Sequence, residues 1–241
     1  MKKKIIGILF CLILVTTIIP MTSAIQQTSK TTIVYTRYFY SLDTDGHIYN
    51  EGSEYFPMHH AAEGIVVDDK KDFSIGQLKN DGIFRVYRGF LFFDTSDLPD
   101  DCEILSATLS LYGKNDYAFV FMTLNVVNGN PLTYPHHPLQ SGDYYYGNYW
   151  CQVGGWMNCD YWTNEGYNDI ILNSLGKSWI NKGPGSLTKF CLRTSWDIGW
   201  IEPEDSEFVK AYTSEKGIGF RPKLKVTYTA ENLQMTGFSD I

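Results

Sequence analysis

The feature that most constrains the fold is a pair of β-patterned segments between residues 83 and 112. In the first, residues 84–94, Leu91 and Phe93 fall on one face of an extended strand, while Phe90 and Phe92 fall on the other. In the second, residues 107–112, apolar and more polar side chains alternate strictly. A period of two is typical of strands with one buried face. The turn between them contains Leu98-Pro99-Asp100, which favours a chain reversal.

The rest of the chain has the same character. We predict further strands at 33–40, 119–127, 188–194 and 221–229, and Gly and Asn punctuate the chain at intervals of about ten residues. Residues 168–182 contain the single plausible helix, which Asn173 or Ser174 would cap. The prediction is an all-β protein, an antiparallel jelly-roll-like β-sandwich with one short helix and a long aromatic loop insert.

The amino terminus has the order of a secretory signal peptide. Three lysines precede an apolar run that begins at Ile5, and Thr22-Ser23-Ala24 supplies the small residues of a cleavage site. The alternative is an uncleaved membrane anchor. We predict a signal peptide at 1–24, a polar lead-in at 25–34, one β-sandwich domain at 35–229 and a tail at 230–241. The mature chain is then expected outside the cell or at its surface, with no membrane insertion.

The charge of the chain narrows its partners. The formal net charge is −7, and loss of the three signal-peptide lysines would take it to −10. No basic face is evident in the sequence, and a nucleic-acid partner would require one. We therefore expect no nucleic-acid binding.

One block of the sequence resembles a known family. Residues 88–113, RGFLFFDTSDLPDDCEILSATLSLYG, are similar to the signature of the DNRLRE-type domain, and SEKGIGFRPKLKVTY at 214–228 is similar to its closing segment. Between them, Trp179 and the Lys182-Gly183 link match a helical turn and a glycine-containing connection. The family is similar to jelly-roll carbohydrate-binding modules. The resemblance therefore implies that fold and sugar binding, and it brings no catalytic residues.

The insert at 129–166 is the strongest functional candidate. It is dense in Tyr, Trp, Gly and Asn. Aromatic rings stack on the C–H faces of sugars, and neighbouring amides and carboxylates can bind sugar hydroxyls. The alternative is that these rings form a satellite core beneath a long loop. The candidate ligand-binding residues of the insert are Tyr144, Tyr145, Tyr146, Tyr149, Trp150, Trp156, Tyr161 and Trp162. Trp196 and Trp200 lie in a later loop, where they could extend the binding face or plug the end of the sandwich.

Four cysteines remain after the signal peptide, an even number that suits two disulfides in an oxidising compartment. We favour Cys151–Cys159, which would close a short aromatic loop, and Cys102–Cys191 by elimination. The alternatives are four free buried thiols or a metal site.

A structural calcium is a second possibility. Asp43, Asp45 and Asn50 carry the oxygen ligands that calcium prefers, although two acids beside a glycine are also a common plain turn.

These observations predict a non-catalytic, secreted carbohydrate-binding module for extracellular or cell-surface polysaccharide. The first alternative is a structural or adhesive surface protein that associates with other proteins or with itself. A third class, a polysaccharide lyase or hydrolase, would need a cleft with paired carboxylates or a Tyr–His–Arg cluster. The sequence contains none of the common catalytic motifs for nucleophilic or metal-dependent hydrolysis, so we expect no enzyme.

Overall fold

The computed structural model describes residues 29–118, 121–129 and 133–234. Over these ranges the chain forms twelve strands and three five-residue helices. The strands are β1 (Ser29–Tyr40), β2 (Gly46–Gly52), β3 (Ile65–Val67), β4 (Asp72–Asn80), β5 (Ile83–Asp94), β6 (Glu103–Asp116), β7 (Thr123–Gly129), β8 (Tyr149–Asn158), β9 (Tyr167–Ile171), β10 (Leu187–Thr194), β11 (Ser206–Tyr212) and β12 (Lys223–Gln234). The helices are α1 (Tyr55–His59), α2 (Ser174–Ser178) and α3 (Ser195–Gly199).

All strand pairs in the described residues are antiparallel, and the main path of the sheet is β1-β12-β6-β11-β4-β5-β10-β7-β8. β2 pairs with β5 and β3, and β9 pairs with β6. The long strand β6 pairs with β12 through its first part and with β11 through its last residues. A bridge between Gly155 and Leu172 brings the β8 edge against the end of β9, so the sheet curls round on itself. The predicted antiparallel jelly-roll-like β-sandwich is confirmed.

The main core lies inside this curl. Leu91 and Phe93 of β5 pack there with Leu109 of β6 and Leu224 of β12, all fully buried. Full burial of a side chain of this size contributes about 1.5–3 kcal/mol. The alternation predicted for the second patterned segment is confirmed as well, since Ala107, Leu109 and Leu111 are buried.

The opposite face of β5 is also covered. Phe90 and Phe92 are fully buried in a second cluster with Tyr144 and Tyr149 of the insert and Ile48 of β2. A strand that is apolar on both faces must lie between two layers. The insert supplies the outer layer here, so part of it is a satellite core.

Several sequence boundaries need correction. The lead-in predicted at 25–34 belongs to β1 from Ser29 onward, and the tail predicted at 230–241 continues β12 as far as Gln234. The insert is not only loop, because β8 crosses it. Helix α2 lies within the predicted segment, and the Asn173 side chain caps it by accepting the Gly176 backbone N–H at 2.9 Å. Helices α1 and α3 were not predicted; five residues are too few to display a helical period.

The disulfide predictions are wrong for the described residues, in which Cys102, Cys159 and Cys191 are free and buried. Cys102 packs in the main core while Cys191 packs in the second cluster, on the other side of the sheet. The side chain of Cys151 lies outside the described residues. Strand β8 nevertheless runs between Cys151 and Cys159, and at about 3.3 Å per residue it separates them by roughly 25 Å, too far for a bridge.

The predicted signal peptide and residues 25–28 lie outside the described ranges. Within those ranges, the structure contains no helix with the length and apolar character needed to cross a bilayer.

Candidate functional site

The structure divides the ten predicted ligand-binding residues by exposure. Tyr144, Tyr149 and Trp162 are buried and face the cores, so their prediction as binding residues is wrong. Trp196 is partly buried against the main core. The side chain of Trp150 lies outside the described residues. The exposed or half-exposed rings fall into two separate groups, one that contains Tyr145, Tyr146 and Trp200 and one that contains Trp156 and Tyr161.

The first group lies over a buried charge cluster that the sequence did not predict. Asp197, at the start of α3, accepts hydrogen bonds from Arg88 of β5 and Arg193 of β10. The four nitrogen-to-oxygen distances are 2.6–3.1 Å. His59 Nε2 lies 2.7 Å from Asp197 Oδ1, and these side chains are fully buried or 1% exposed.

Two arginines hold this carboxylate in its charged form. Burial alone would raise the pKa of Asp197, but the charges of Arg193 and Arg88 outweigh it and hold the pKa well below its usual value. The same arginine side chain, Arg88, also donates to the backbone oxygen of Tyr144. The cluster therefore fastens α1, α3 and the insert to the outer face of β5 and β10. Tyr144, His59 and Arg88 form a Tyr–His–Arg set here. All three side chains are buried, so they cannot contact a polymeric substrate.

Above the cluster, three rings form a closely packed patch. His60, Tyr146 and Trp200 have ring centroids 4.7–5.7 Å apart with interplanar angles of 75–79°. Tyr145 extends the patch, with its ring centroid 5.1 Å from that of Tyr146. Because the rings contact one another edge to face, each of them is partly covered by a neighbouring ring.

The second group lies in an open groove between β8 and β9, which we call the β8–β9 groove. Its volume is about 360 Å³, and it is lined by Trp156, Met157, Asn158, Tyr161, Thr163, Tyr167, Asn168 and Asp169. Trp156 is 59% exposed and Tyr161 is 78% exposed. These are the most exposed aromatic rings of the ten predicted residues in the described part of the chain.

Local structure places both rings. Trp156 and Asn158 are two apart on β8 and therefore share its outer face, while Met157 between them packs against the main core. Asn158 then caps a 3-10 turn, Cys159–Tyr161, by accepting the Asp160 backbone N–H at 2.9 Å. This cap sets the position from which Tyr161 projects. The outer face of β9 adds the exposed carboxylate of Asp169.

A larger cavity of about 700 Å³ lies elsewhere, lined by residues of β2, β4, β5 and β11 and by Tyr117. None of the ten predicted residues lines it. Its aromatic ring, Tyr117, is already packed on Phe208 with centroids 4.8 Å apart, and its guanidinium, Arg85, is paired with Glu51. We therefore favour the smaller groove, whose rings are open.

The predicted calcium ligands do not converge. Asp45 is buried, and its carboxylate accepts bonds from the Ser214 backbone N–H and hydroxyl at 3.1–3.2 Å. Asn50 lies five residues further along β2, roughly 16 Å away, and donates to the Glu63 carbonyl. Asp43 is exposed. The described residues contain no group of three or more His, Cys, Asp or Glu side chains that could hold a metal ion.

Comparison with known proteins gives little beyond this geometry. No family model matches the chain, and no curated protein matches it. A mud crab tombus-like virus structure matches with a TM-score of 0.32 and 10% identity, over 98% of this chain and 94% of that one. A Macrobrachium rosenbergii nodavirus structure matches with the same score and identity, over 99% of this chain and 65% of that one. The resemblance to the DNRLRE-type domain stays a prediction.

Proposed function

We propose that the protein is a non-catalytic carbohydrate-binding module, and that the β8–β9 groove binds a neutral stretch of an extracellular or cell-surface polysaccharide. The observation that carries the proposal is the exposure of Trp156 and Tyr161 on one groove. Large rings that face water in a soluble protein forfeit burial energy, and stacking on a sugar would recover it.

Polar groups beside the rings support the same ligand. The Asp169 carboxylate is exposed in the groove and can accept bonds from sugar hydroxyls. The Asn158 amide is held by Asp160, with its nitrogen 3.1 Å from Asp160 Oδ2. These groups lie on β8, which is paired with β7, on β9, which is paired with β6, and on a capped turn. Little ordering entropy therefore opposes binding.

The lining of the groove also favours binding over cleavage. Asp169 is the one carboxylate among the described residues that line it. Hydrolysis of a glycosidic bond ordinarily uses two carboxyl groups on opposite sides of the bond.

The test is binding of the protein to a panel of neutral polysaccharides by affinity electrophoresis and calorimetry, with and without a chelator. We expect Trp156→Ala and Tyr161→Ala each to weaken binding by roughly tenfold, since each removes one stacking surface. Trp200→Ala is the matched control, because it removes an exposed ring from the other group. Equal losses in all three variants, or no binding to any glycan, would overturn the proposal.

A second function, self-association at a cell surface, is favoured by strand β1. β1 ends the sheet path, so one of its edges has no partner strand in the described residues. Val34, Tyr38 and Tyr40 lie at alternate positions on one of its faces and are 58%, 52% and 41% exposed. Long apolar edge strands promote pairing between chains. Sedimentation of the protein against a Tyr38→Lys variant tests this, and a monomer in both cases would exclude it.

A further inference from the structure

A third pocket, distinct from the β8–β9 groove, is positively charged, although the chain as a whole is acidic. It has a volume of about 540 Å³ and lies where β2, β4, β5 and β11 come together. Four of its lining side chains are cationic, in a chain of net charge −7: Lys70, Lys71, Arg85 and Lys210. β5, β10 and β7 separate β4 and β11 from β8, so this basic pocket and the groove are independent.

Two of the cations are uncompensated. In the described residues, Lys71 and Lys210 have no acidic partner. Three nearby acids are already engaged: Asp72 is bound by Lys114 at 2.6 Å, Glu51 is bound by Arg85, and Asp69 is bound by Lys70 at 3.1 Å. The pocket therefore presents net positive charge to solvent. Because the chain as a whole is negative, we expect anions to be attracted to this pocket.

A neutral histidine adds a directed donor. His47 is buried, and its Nδ1 accepts the Ser74 backbone N–H at 3.4 Å, which places the ring proton on Nε2. Burial, and then the charge of Lys210, lower the pKa of His47 to about 4. The ring is therefore neutral at physiological pH. Its Nε2–H has no acceptor in the described residues.

The groups that surround this ring are consistent with that state. On its own strand the neighbour is Tyr49, β4 contributes Asp72 and Ser74, β5 contributes Arg85 and Tyr87, β11 contributes Lys210, and the segment before β4 contributes Lys70 and Lys71. Asp72 is the single acid among these groups. It is paired with Lys114, which does not line the pocket. An entering anion would therefore meet donors and positive charge.

Aromatic rings form the apolar part of the pocket. His47, Tyr49 and Tyr87 lie with ring centroids 5.5–6.1 Å apart and mutual tilts of 38–70°. Rings beside cations suit a ligand that has both C–H faces and an anionic group. A nucleic acid carries one charge about every 1.7 Å and would extend beyond the pocket, where the net charge of −7 on the chain as a whole opposes its binding. A sugar ring with one carboxylate or sulfate carries a single negative charge, which the cations of the pocket can neutralise.

We propose that this pocket binds one anionic sugar residue, a uronate or a sulfated sugar, through Lys71, Lys210 and the His47 Nε2–H. The proposal goes beyond the neutral-glycan groove and does not depend on it. The protein would then bind acidic polysaccharide through this pocket.

The test is calorimetric titration of the whole protein with an oligogalacturonate, a sulfated oligosaccharide of equal length, a neutral oligosaccharide, inorganic phosphate and a short single-stranded DNA. We expect one or both anionic saccharides to bind, and the affinity to fall as salt rises. We expect Lys71→Gln with Lys210→Gln to weaken binding about tenfold, the size expected for loss of two partly exposed ion pairs. His47→Gln should weaken it by a smaller factor. The matched control, Lys177→Gln with Lys225→Gln, removes the same charge far from the pocket and should change affinity by less than about twofold.

Several outcomes would overturn the proposal. They are equal effects of the two double variants, neutral saccharide binding that matches anionic binding, tighter binding of DNA or phosphate, and failure of both anionic saccharides to bind. A Trp156→Ala variant separates the two sites. If it loses anionic-sugar binding while the Lys71→Gln, Lys210→Gln variant keeps it, the groove proposal stands and this one fails.

Discussion

Replacement of Asp197 by Asn should be among the most damaging single changes that this protein can undergo. The Asp197 carboxylate is fully buried and lies within 3.1 Å of nitrogens from Arg88, Arg193 and His59. The amide keeps the shape and removes the charge, so two buried guanidinium groups lose their counter-ion. Breaking a buried pair in this way costs about 3–5 kcal/mol.

The chain supplies a matched control. Asp97 pairs with Arg37 at 2.5 Å, but these side chains are 71% and 47% exposed. Water and salt screen such a pair, so the same change, Asp97→Asn, should cost less than about 1 kcal/mol. The assay is urea unfolding of wild type and both variants at pH 7, with the slopes compared to confirm that the same surface is exposed on unfolding.

The reasoning also predicts two further outcomes. The two arginines hold the pKa of Asp197 well below 3.8, so its contribution is complete above that pH and is lost only as the pH falls through the lower folded value. The cost of Asp197→Asn should therefore be constant from pH 5 to pH 8. Replacement of Asp197, Arg88 and Arg193 together by apolar residues should recover most of the loss. Similar small costs for Asp197→Asn and Asp97→Asn would refute the argument.

Two further predictions concern a buried carboxyl group and a close backbone approach. Burial raises the pKa of Asp45 to about 7, although bonds from Ser41 and Ser214 oppose it. Its protonated form is therefore favoured in the folded state, and its contribution to stability falls as pH rises from about 4 to 7. Asp45→Asn, measured by urea unfolding, should gain stability relative to wild type as the pH rises from 5 to 8, by about 2–3 kcal/mol; a constant difference would contradict this. Gly154→Ala should destabilise by more than about 1 kcal/mol, because a Cβ there would lie 2.2 Å from the Trp179 ring. Gly142→Ala, where a Cβ meets nothing within 4 Å, is its control in thermal melts, and equal melting temperatures would contradict the prediction.

The aromatic insert shows where prediction from sequence stopped. Tyr144 and Tyr145 are adjacent and chemically identical, yet Tyr144 is fully buried and Tyr145 is 38% exposed. The difference arises because the outer face of β5 needs a cover, and the turn at Ser141–Tyr144 places one of the two rings on it. The Phe90 and Phe92 pattern signalled the need for a cover. It did not say which segment would provide it.

The charge cluster and the basic pocket could not be predicted from the sequence, for a different reason. Arg88 and Asp197 are 109 residues apart, and His47 and Lys210 meet only because β2 and β11 flank β5 and β4. An arginine inside an apolar strand, as in RGFLFF, is a signal that a buried counter-ion exists somewhere. No local pattern identifies that partner.

Side-chain alternation is a property of neighbouring residues, so the longer strands could be predicted from the sequence. The inward positions of Ala107, Leu109 and Leu111 follow from period two alone, and all three are buried. Which aromatic rings face water, which cations share a pocket and where the cysteines lie could be seen only in the folded chain. Those outcomes depend on strand order and on how the sheet curls, which bring together residues that are distant in the chain and separate residues, such as Cys151 and Cys159, that are close in it.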